Sequence, residues 1–220
     1  MGHFIKLESA SGTIDAYVAE PAGTPKGGVV VIQEIFGVNA HIRDVADRYA
    51  QAGYTAIAPA LFDHVEKNVE LEYNEAGMTK GIDLVGKLGF DLPIEDIKAA
   101  AAHIAKAGKV GTVGYCWGGS LAYLSAIRLG LPGVSYYGGR NTMFVDQQAK
   151  APLMFHYGEH DAHISAEDRA KVIAANPTAP VFVYDADHGF NCDHRGSYNA
   201  AAAALAQERT LAFFKEHLGA

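Results

Sequence analysis

The chain has 220 residues, 49% of them hydrophobic, so a single domain can bury a core without disulfides or metal. Its formal net charge is -7 and no two Lys or Arg residues are adjacent. This excludes the concentrated positive charge that nucleic acid or an anionic membrane surface requires. No apolar run approaches the roughly 18 residues of a membrane span.

The N-terminal stretch MGHFIKLESASG has no signal-peptide apolar core, and Lys6 stands where a myristoylation pattern needs Ser or Thr. A soluble, cytoplasmic protein is expected. The two cysteines, Cys116 and Cys192, do not make a disulfide framework.

In chain order, HFIKLES and TIDAYVAE flank Ala10-Ser11-Gly12 and predict an antiparallel hairpin. Gly28–Glu34 is a near-continuous apolar strand, the pattern of one covered on both faces. A helix follows from His41 to Ala52, then a strand over Thr55–Leu61. Residues 62–92 are polar and glycine-punctuated, predicting one or two short helices or a lid.

PIEDIKAAAAHIAKAG predicts a helix with Pro93 in its first turn and Gly108 at its end. KVGTVGY is a strand that feeds the helix WGGSLAYLSAIRL. Strands follow at Gly133–Gly139 and Pro152–Glu159, with a short helix near Met143–Gln148 between them. Ser165 caps a helix to Ala175, with Asp168 completing a variant capping box. APVFVYD is the last strand, and a final helix places apolar residues at Ala203, Leu205, Leu211 and Phe214. Strands alternating with helices predict one α/β domain over residues 1–220, a mostly parallel, doubly wound sheet preceded by the hairpin.

The junction VGYCWGGS carries the chemistry. Gly114-Tyr115-Cys116-Trp117-Gly118 places a cysteine between glycines where a strand turns into a helix. A lone cysteine is commonly core filler, but filler does not need flanking glycines. A nucleophile on a strained elbow does, because side chains there would strike the neighbouring strand and helix. The helix N-terminus behind the sulfur favours a thiolate, and the Trp117 N–H is a candidate oxyanion donor.

An acid and then a histidine are expected after the nucleophile. Asp161 follows the strand PLMFHYG and His188 follows APVFVYD, so both belong at the same sheet edge as Cys116. Glu159, Asp168, Asp185 and Asp187 compete for the acid's role; Asp168 belongs to the helix start, and Asp161 is the choice. His156, His160, His163, His188 and His194 admit a metal reading, but they lack repeated ligand spacing, so no metal and no cofactor are expected. His156, inside an apolar strand, is expected in the core. Glu34 ends a central apolar strand and needs a partner if buried, either a structural hydrogen bond or the thiol.

The segments QEIFGVNAHIRDVADRYAQAGY, APALF, VGYCWGGSLAY, HYGEHDAHIS, DADHGFNCDHRGSYNAAAA and ERTLAFFKEHL together resemble the dienelactone hydrolase (carboxymethylenebutenolidase) family over essentially the whole chain. The resemblance implies an α/β-hydrolase fold without a large cap domain and hydrolysis of a small-molecule ester or lactone. It implies Cys116 as nucleophile, His188 as base and acid, and Asp161 as the orienting carboxylate. It also implies Glu34 contacting the resting thiol, and an oxyanion hole from the Ile35 and Trp117 amides. Family members acting on dienelactone hold its carboxylate with two arginines, one from the segment before the long central helix. Residues 62–92 here contain Lys67, Lys80 and Lys87 but no arginine, so a neutral substrate is expected. Arg195 and Tyr115 are candidate substrate contacts, and Tyr136 and Tyr137 candidate pocket walls. Two other readings remain: a broad carboxylesterase or thioesterase, and a non-catalytic binding module. A monomer or homodimer is expected, without nucleic acid or membrane partners. No role is assigned to Cys192.

Overall fold

The computed structural model describes residues 2–219. Eight strands form one sheet in the order β1-β2-β4-β3-β5-β6-β7-β8. β1 (His3–Ser9) and β2 (Gly12–Ala19) make the predicted hairpin, and β2 also runs antiparallel to β4 (Thr55–Pro59). β3 (Gly28–Ile32), β5 (Val110–Tyr115), β6 (Gly133–Tyr136), β7 (Leu153–Gly158) and β8 (Val181–Tyr184) are parallel neighbours. The valine-rich β3 is buried at every residue because helices cover both faces of the sheet.

α1 (Ala40–Gln51) connects β3 to β4, and α4 (Trp117–Arg128) connects β5 to β6. The chain thus leaves β3 toward one edge of the sheet and later fills the other side from β5. The crevice beyond the carboxyl ends of β3 and β5 is the topological switch point, where such sheets bind ligands. Gln33-Glu34-Ile35 and Cys116 lie there. β3 stops at Ile32, two residues before the predicted end. Gln33 leaves the ladder to accept the Leu61 N–H at 3.1 Å and to donate to the Glu34 carbonyl at 3.2 Å.

Between β4 and β5, residues 62–92 differ from the expectation of short pieces. A 3-10 turn over Leu61–His64 is followed by α2 (Glu75–Leu88), a full helix capped by Asn74, whose side chain accepts the Gly77 N–H at 2.9 Å. α3 (Asp91–His103) and a second 3-10 turn (Ala105–Ala107) complete the connection to β5. The glycines in α2 are not breaks: a Cβ at Gly81 would stand 2.2 Å from the Ile35 carbonyl oxygen, so glycine lets the helix lie directly on the loop after β3.

α5 (Ala166–Ala175) starts at Ser165, whose hydroxyl accepts the Asp168 N–H at 3.0 Å, as the capping pattern predicts. In α6 (Ala200–Leu218) the predicted apolar stripe is corrected. Ala203 and Phe214 are buried as expected, Leu211 is half-buried and Leu205 is exposed, and the buried face also includes Ala202, Ala206, Thr210 and Phe213. Thr210 belongs to that face because Tyr136 and His156 reach its hydroxyl at 2.7 and 3.1 Å.

One polar cluster fastens the hairpin to the sandwich. Asp96 of α3, fully buried, accepts from Ser9 (2.6 Å), Ser11 (2.9 Å) and the His64 Nε2 (2.8 Å). Removing the carboxylate strands three donors at once. Asp96→Ala is therefore expected to lose about 3 kcal/mol of stability, read as a lower urea midpoint with an unchanged slope. An unchanged midpoint would show that water replaces the carboxylate.

Candidate active site

The elbow has the backbone its glycines predict. Cys116 adopts φ 56° and ψ -117°, a left-handed conformation that is strained for any residue with a side chain. A Cβ at Gly114 would stand 1.8 Å from the Gly118 carbonyl oxygen, and one at Gly118 would stand 2.4 Å from the Gln33 and Ile32 oxygens. Strand, helix and the end of β3 therefore close on one another with no room for a methyl group. The Cys116 N–H donates to the Tyr136 carbonyl at 3.0 Å, locking the turn to β6. Trp117 is the first residue of α4, so the positive end of that helix lies under the sulfur.

Cys116 opens into a cavity of about 240 Å³. Ile35, Phe36, Met78, Ile82, Val85 and Trp117 form its apolar wall, and Arg140, His163, His188 and Arg195 its polar one. Neither the Ile35 nor the Trp117 N–H donates to a turn, loop or cap carbonyl among the described residues, and both residues border the cavity.

His188 and Asp161 meet here. The His188 Nδ1 lies 2.7 Å from the Asp161 Oδ2, and the other carboxylate oxygen accepts the His163 N–H at 2.8 Å. Asp161 is buried, whereas its competitors are not: Asp185 pairs with His160 at the surface, and Glu159 and Asp187 are exposed. Burial of His188 disfavours its charge. That effect is outweighed by the Cys116 sulfur and by hydrogen bonds to Asp161 and Cys116, which raise its pKa to about 10. The Tyr137 ring packs on the His188 imidazole with centroids 5.0 Å apart.

Glu34 is fully buried, and its carboxylate is held elsewhere than the resemblance implies. Tyr73 donates to one oxygen at 2.9 Å and Arg195 to the other at 3.4 Å, and among the described residues no hydrogen bond joins Glu34 to the Cys116 thiol. Tyr73, from the residues before α2, could be found only from tertiary structure. Arg195 lies over the Phe36 and Tyr73 rings at 5.7 and 5.5 Å. Burial opposes its charge, but the Glu34 carboxylate together with Tyr137, Cys116 and Cys192 outweighs burial and raises its pKa. Cys192 is buried beside this pair, and burial followed by Glu34 pushes its thiol up to about 12, so it is an inert thiol in this state.

Other expectations are corrected. Tyr115 is not a substrate contact: it is fully buried, with its hydroxyl 3.5 Å from that of Tyr49 and its ring against Tyr136. Side chains alternate along β5, so the residue before the elbow turns into the core while Cys116 turns out. Tyr136 and Tyr137 are likewise fully buried and border no part of the cavity. His156 is the core residue expected, bonded to the Tyr184 hydroxyl at 2.8 Å, and burial lowers its pKa to about 3.

Arg140 was missed. It follows β6 in the loop GGR, lines the cavity, and makes no side-chain hydrogen bond or ion pair among the described residues. The Ser120 hydroxyl accepts its backbone N–H at 3.0 Å, which fixes the loop over the start of α4. By contrast, Lys67, Lys80 and Lys87 pair with Asp63, Glu66 and Asp83 at 3.5, 2.5 and 2.7 Å, and none borders the cavity.

Known proteins resemble this chain along most of its length. The model of the dienelactone hydrolase family matches residues 14–218. A carboxymethylenebutenolidase of Pseudomonas putida is 34% identical, with 95% of this chain and 94% of that protein covered. A candidate carboxymethylenebutenolidase of Azospirillum brasilense is 39% identical over 94% of this chain and 95% of its own. A crystal structure of a candidate dienelactone hydrolase from Klebsiella pneumoniae superposes with a TM-score of 0.84, at 32% identity and 98% coverage of both chains. Matched along nearly its whole length in both sequence and fold, the chain belongs to the dienelactone hydrolase family and is a carboxylic ester hydrolase.

Proposed function

We propose that the chain hydrolyses a small ester or lactone through Cys116, His188 and Asp161. The observation that carries this reading is the His188–Asp161 bond of 2.7 Å at the wall of the cavity into which the strained Cys116 opens. The Cys116 sulfur attacks the carbonyl carbon, and the carbonyl electron pair moves onto oxygen. The N–H groups of Ile35 and Trp117 receive that oxyanion, helped by the positive end of α4. Collapse expels the alkoxide, which takes a proton from His188 Nε2 and leaves a thioester on Cys116. His188, now neutral, removes a proton from water, and the hydroxide attacks the thioester. The thiolate departs and the imidazolium is restored. Asp161 fixes the tautomer throughout by holding Nδ1–H. For a lactone, the leaving oxygen stays tethered and the product is a hydroxy acid.

Glu34 serves this scheme by its pairing. With its carboxylate on Tyr73 and Arg195, no second anion contacts the sulfur, and Cys116 is left to His188. The contact with the resting thiol implied by the resemblance belongs to a second conformation, reached when Glu34 exchanges Arg195 for Cys116. The Met78, Ile82 and Val85 wall also favours a broad acyl range, the esterase or thioesterase reading. A panel of lactones, p-nitrophenyl esters and acyl thioesters separates the two by relative kcat/KM.

Three outcomes are expected. Cys116→Ala abolishes hydrolysis with an unchanged circular dichroism spectrum, and Cys116→Ser falls by orders of magnitude because the geometry suits a larger, more acidic sulfur. Turnover by the alanine variant at the wild-type rate would remove the thiol from the mechanism.

The second outcome concerns pH. His188 ordinarily titrates near 6.5 and is raised to about 10 in the folded chain. Its imidazolium then contributes stability that is fully present below about 6.5 and lost as pH rises through about 10. Wild type should lose stability relative to His188→Gln between pH 7 and 10 in denaturant titrations. Parallel curves for the two proteins over that range would show an uncharged His188.

The third concerns substrate. The expectation of a neutral substrate rested on residues 62–92, and Arg140 enters from outside them. Arg140→Ala should lower kcat/KM for a carboxylate-bearing lactone by about 2 kcal/mol, roughly thirtyfold, and leave a neutral ester within about twofold. Equal losses on both substrates would give Arg140 no part in recognising charge.

A further inference from the structure

Beside the hydrolytic centre lies a second group of chemically active side chains. Glu34 follows β3, His41 stands in the first turn of α1, and Cys192 lies in the loop after His188. All three are buried, and one potential ligand atom from each lies within 4.8 Å of the other two. A tetrahedral ion with bonds of about 2.0–2.3 Å sets its ligand atoms about 3.3–3.8 Å apart, so a contraction of at most about 1.5 Å assembles such a site.

The His41 ring is oriented for ligation. Its Nδ1 lies 3.1 Å from the Asp193 Oδ1, and Asp193 is itself anchored by Arg48. With Nδ1 occupied, Nε2 is the nitrogen left for the cluster, and this buried atom has no hydrogen-bond partner among the described residues. A carboxylate on the outer nitrogen and a free inner nitrogen is the arrangement that orients metal-bound histidines. A buried unpartnered polar atom is costly, and the His41 Nε2 in a Glu–His–Cys group needs an account.

We propose that Glu34, His41 and Cys192 form a binding site for a divalent, thiophilic cation of the zinc class. Thiolate, imidazole and carboxylate together suit zinc or cobalt(II) and not magnesium or calcium. On binding, the Cys192 S–H bond breaks, the sulfur–metal bond forms, and the proton leaves to solvent. Thiolate and carboxylate then offset the ion's charge, with the Glu34 carboxylate shared between the ion and Arg195. The site is distinct from the hydrolytic thiol, and hydrolysis proceeds by the scheme above without it. Its structural effect is to tie the end of β3, the start of α1 and the loop carrying His188 and Arg195 to one centre.

The test uses Co²⁺ titrated into the Cys116→Ala protein, so that only Cys192 can supply a thiolate. One equivalent is expected to produce a near-ultraviolet thiolate-to-cobalt charge-transfer band with intense tetrahedral visible bands, both removed by Zn²⁺. Cys192→Ser in that background should lose the charge-transfer band, and His41→Gln should weaken Co²⁺ binding at least tenfold. Circular dichroism checks each variant, and should Cys192→Ser not fold, the His41→Gln titration decides alone. Absence of the band, its survival in folded Cys192→Ser, or unchanged affinity in His41→Gln overturns the proposal. Because the titration is made in a hydrolysis-dead protein, its outcome is independent of the proposed reaction.

Discussion

Everything at this site depends on one backbone constraint, the left-handed turn at Cys116. A non-glycine residue at φ 56° costs on the order of 1–3 kcal/mol, and the fold supports it by closing three layers around it. Gly114 lets β5 meet α4, and Gly118 lets α4 meet the last residues of β3. The same contacts place the Ile35 and Trp117 amides at the edge of one cavity. Gly81 extends the stack, since it lets α2 rest on the Ile35 carbonyl and deliver Met78, Ile82 and Val85 as the opposite wall. Sulfur, amides and apolar wall are thus one rigid assembly whose spacing is set by missing methyl groups.

Charge is arranged around that assembly in two groups. One contains Cys116, His188 and Asp161; the other contains Glu34, Tyr73 and Arg195. Arg195 connects them, because both the Glu34 carboxylate and the Cys116 sulfur favour its guanidinium. A fully buried carboxylate such as Glu34 would be strongly destabilising alone, and the Tyr73 hydroxyl and Arg195 compensate it with one bond to each oxygen. Arg195 is therefore committed within the protein, whereas Arg140 is not. That difference leaves Arg140 the arginine of this cavity without a side-chain partner among the described residues, even though the two arginines border the same space.

The parts of this design that are local were legible in the chain. The glycines around Cys116 announce the turn, and the order cysteine, aspartate, histidine at successive strand ends announces the partners. Ser165 and Asp168 announce a helix start. What was hidden depends on contacts between distant segments. Gly81 reads as an interruption because glycine disfavours helix, yet here it marks close approach to the Ile35 carbonyl. Tyr115 was misplaced because alternation along β5 sends it into the core. Leu205 was placed in the buried stripe of α6, where Ala202, Ala206 and Thr210 in fact face the sheet. Arg140 and Tyr73 carry no motif; they matter through the cavity and the buried carboxylate they reach.

The loop after β8 shows why the two groups of charges belong to one structure. Within eight residues it supplies His188 to the thiol, Cys192 to the pocket beside Glu34, Asp193 to His41 and Arg195 to Glu34. Such a run cannot be positioned by packing alone, since half its residues are polar and several are buried. It is positioned by pairing, with Asp161 at one end, Arg48 and His41 in the middle and Glu34 at the other. These partners come from three regions, the ends of β3 and β7 and helix α1, so the loop holds its shape only when β3, α1 and β7 have assembled. His188 is thereby registered against the same strand end that carries Ile35. His188 and Ile35 are fixed relative to one another through Glu34, which follows β3 and holds Arg195 of the His188 loop.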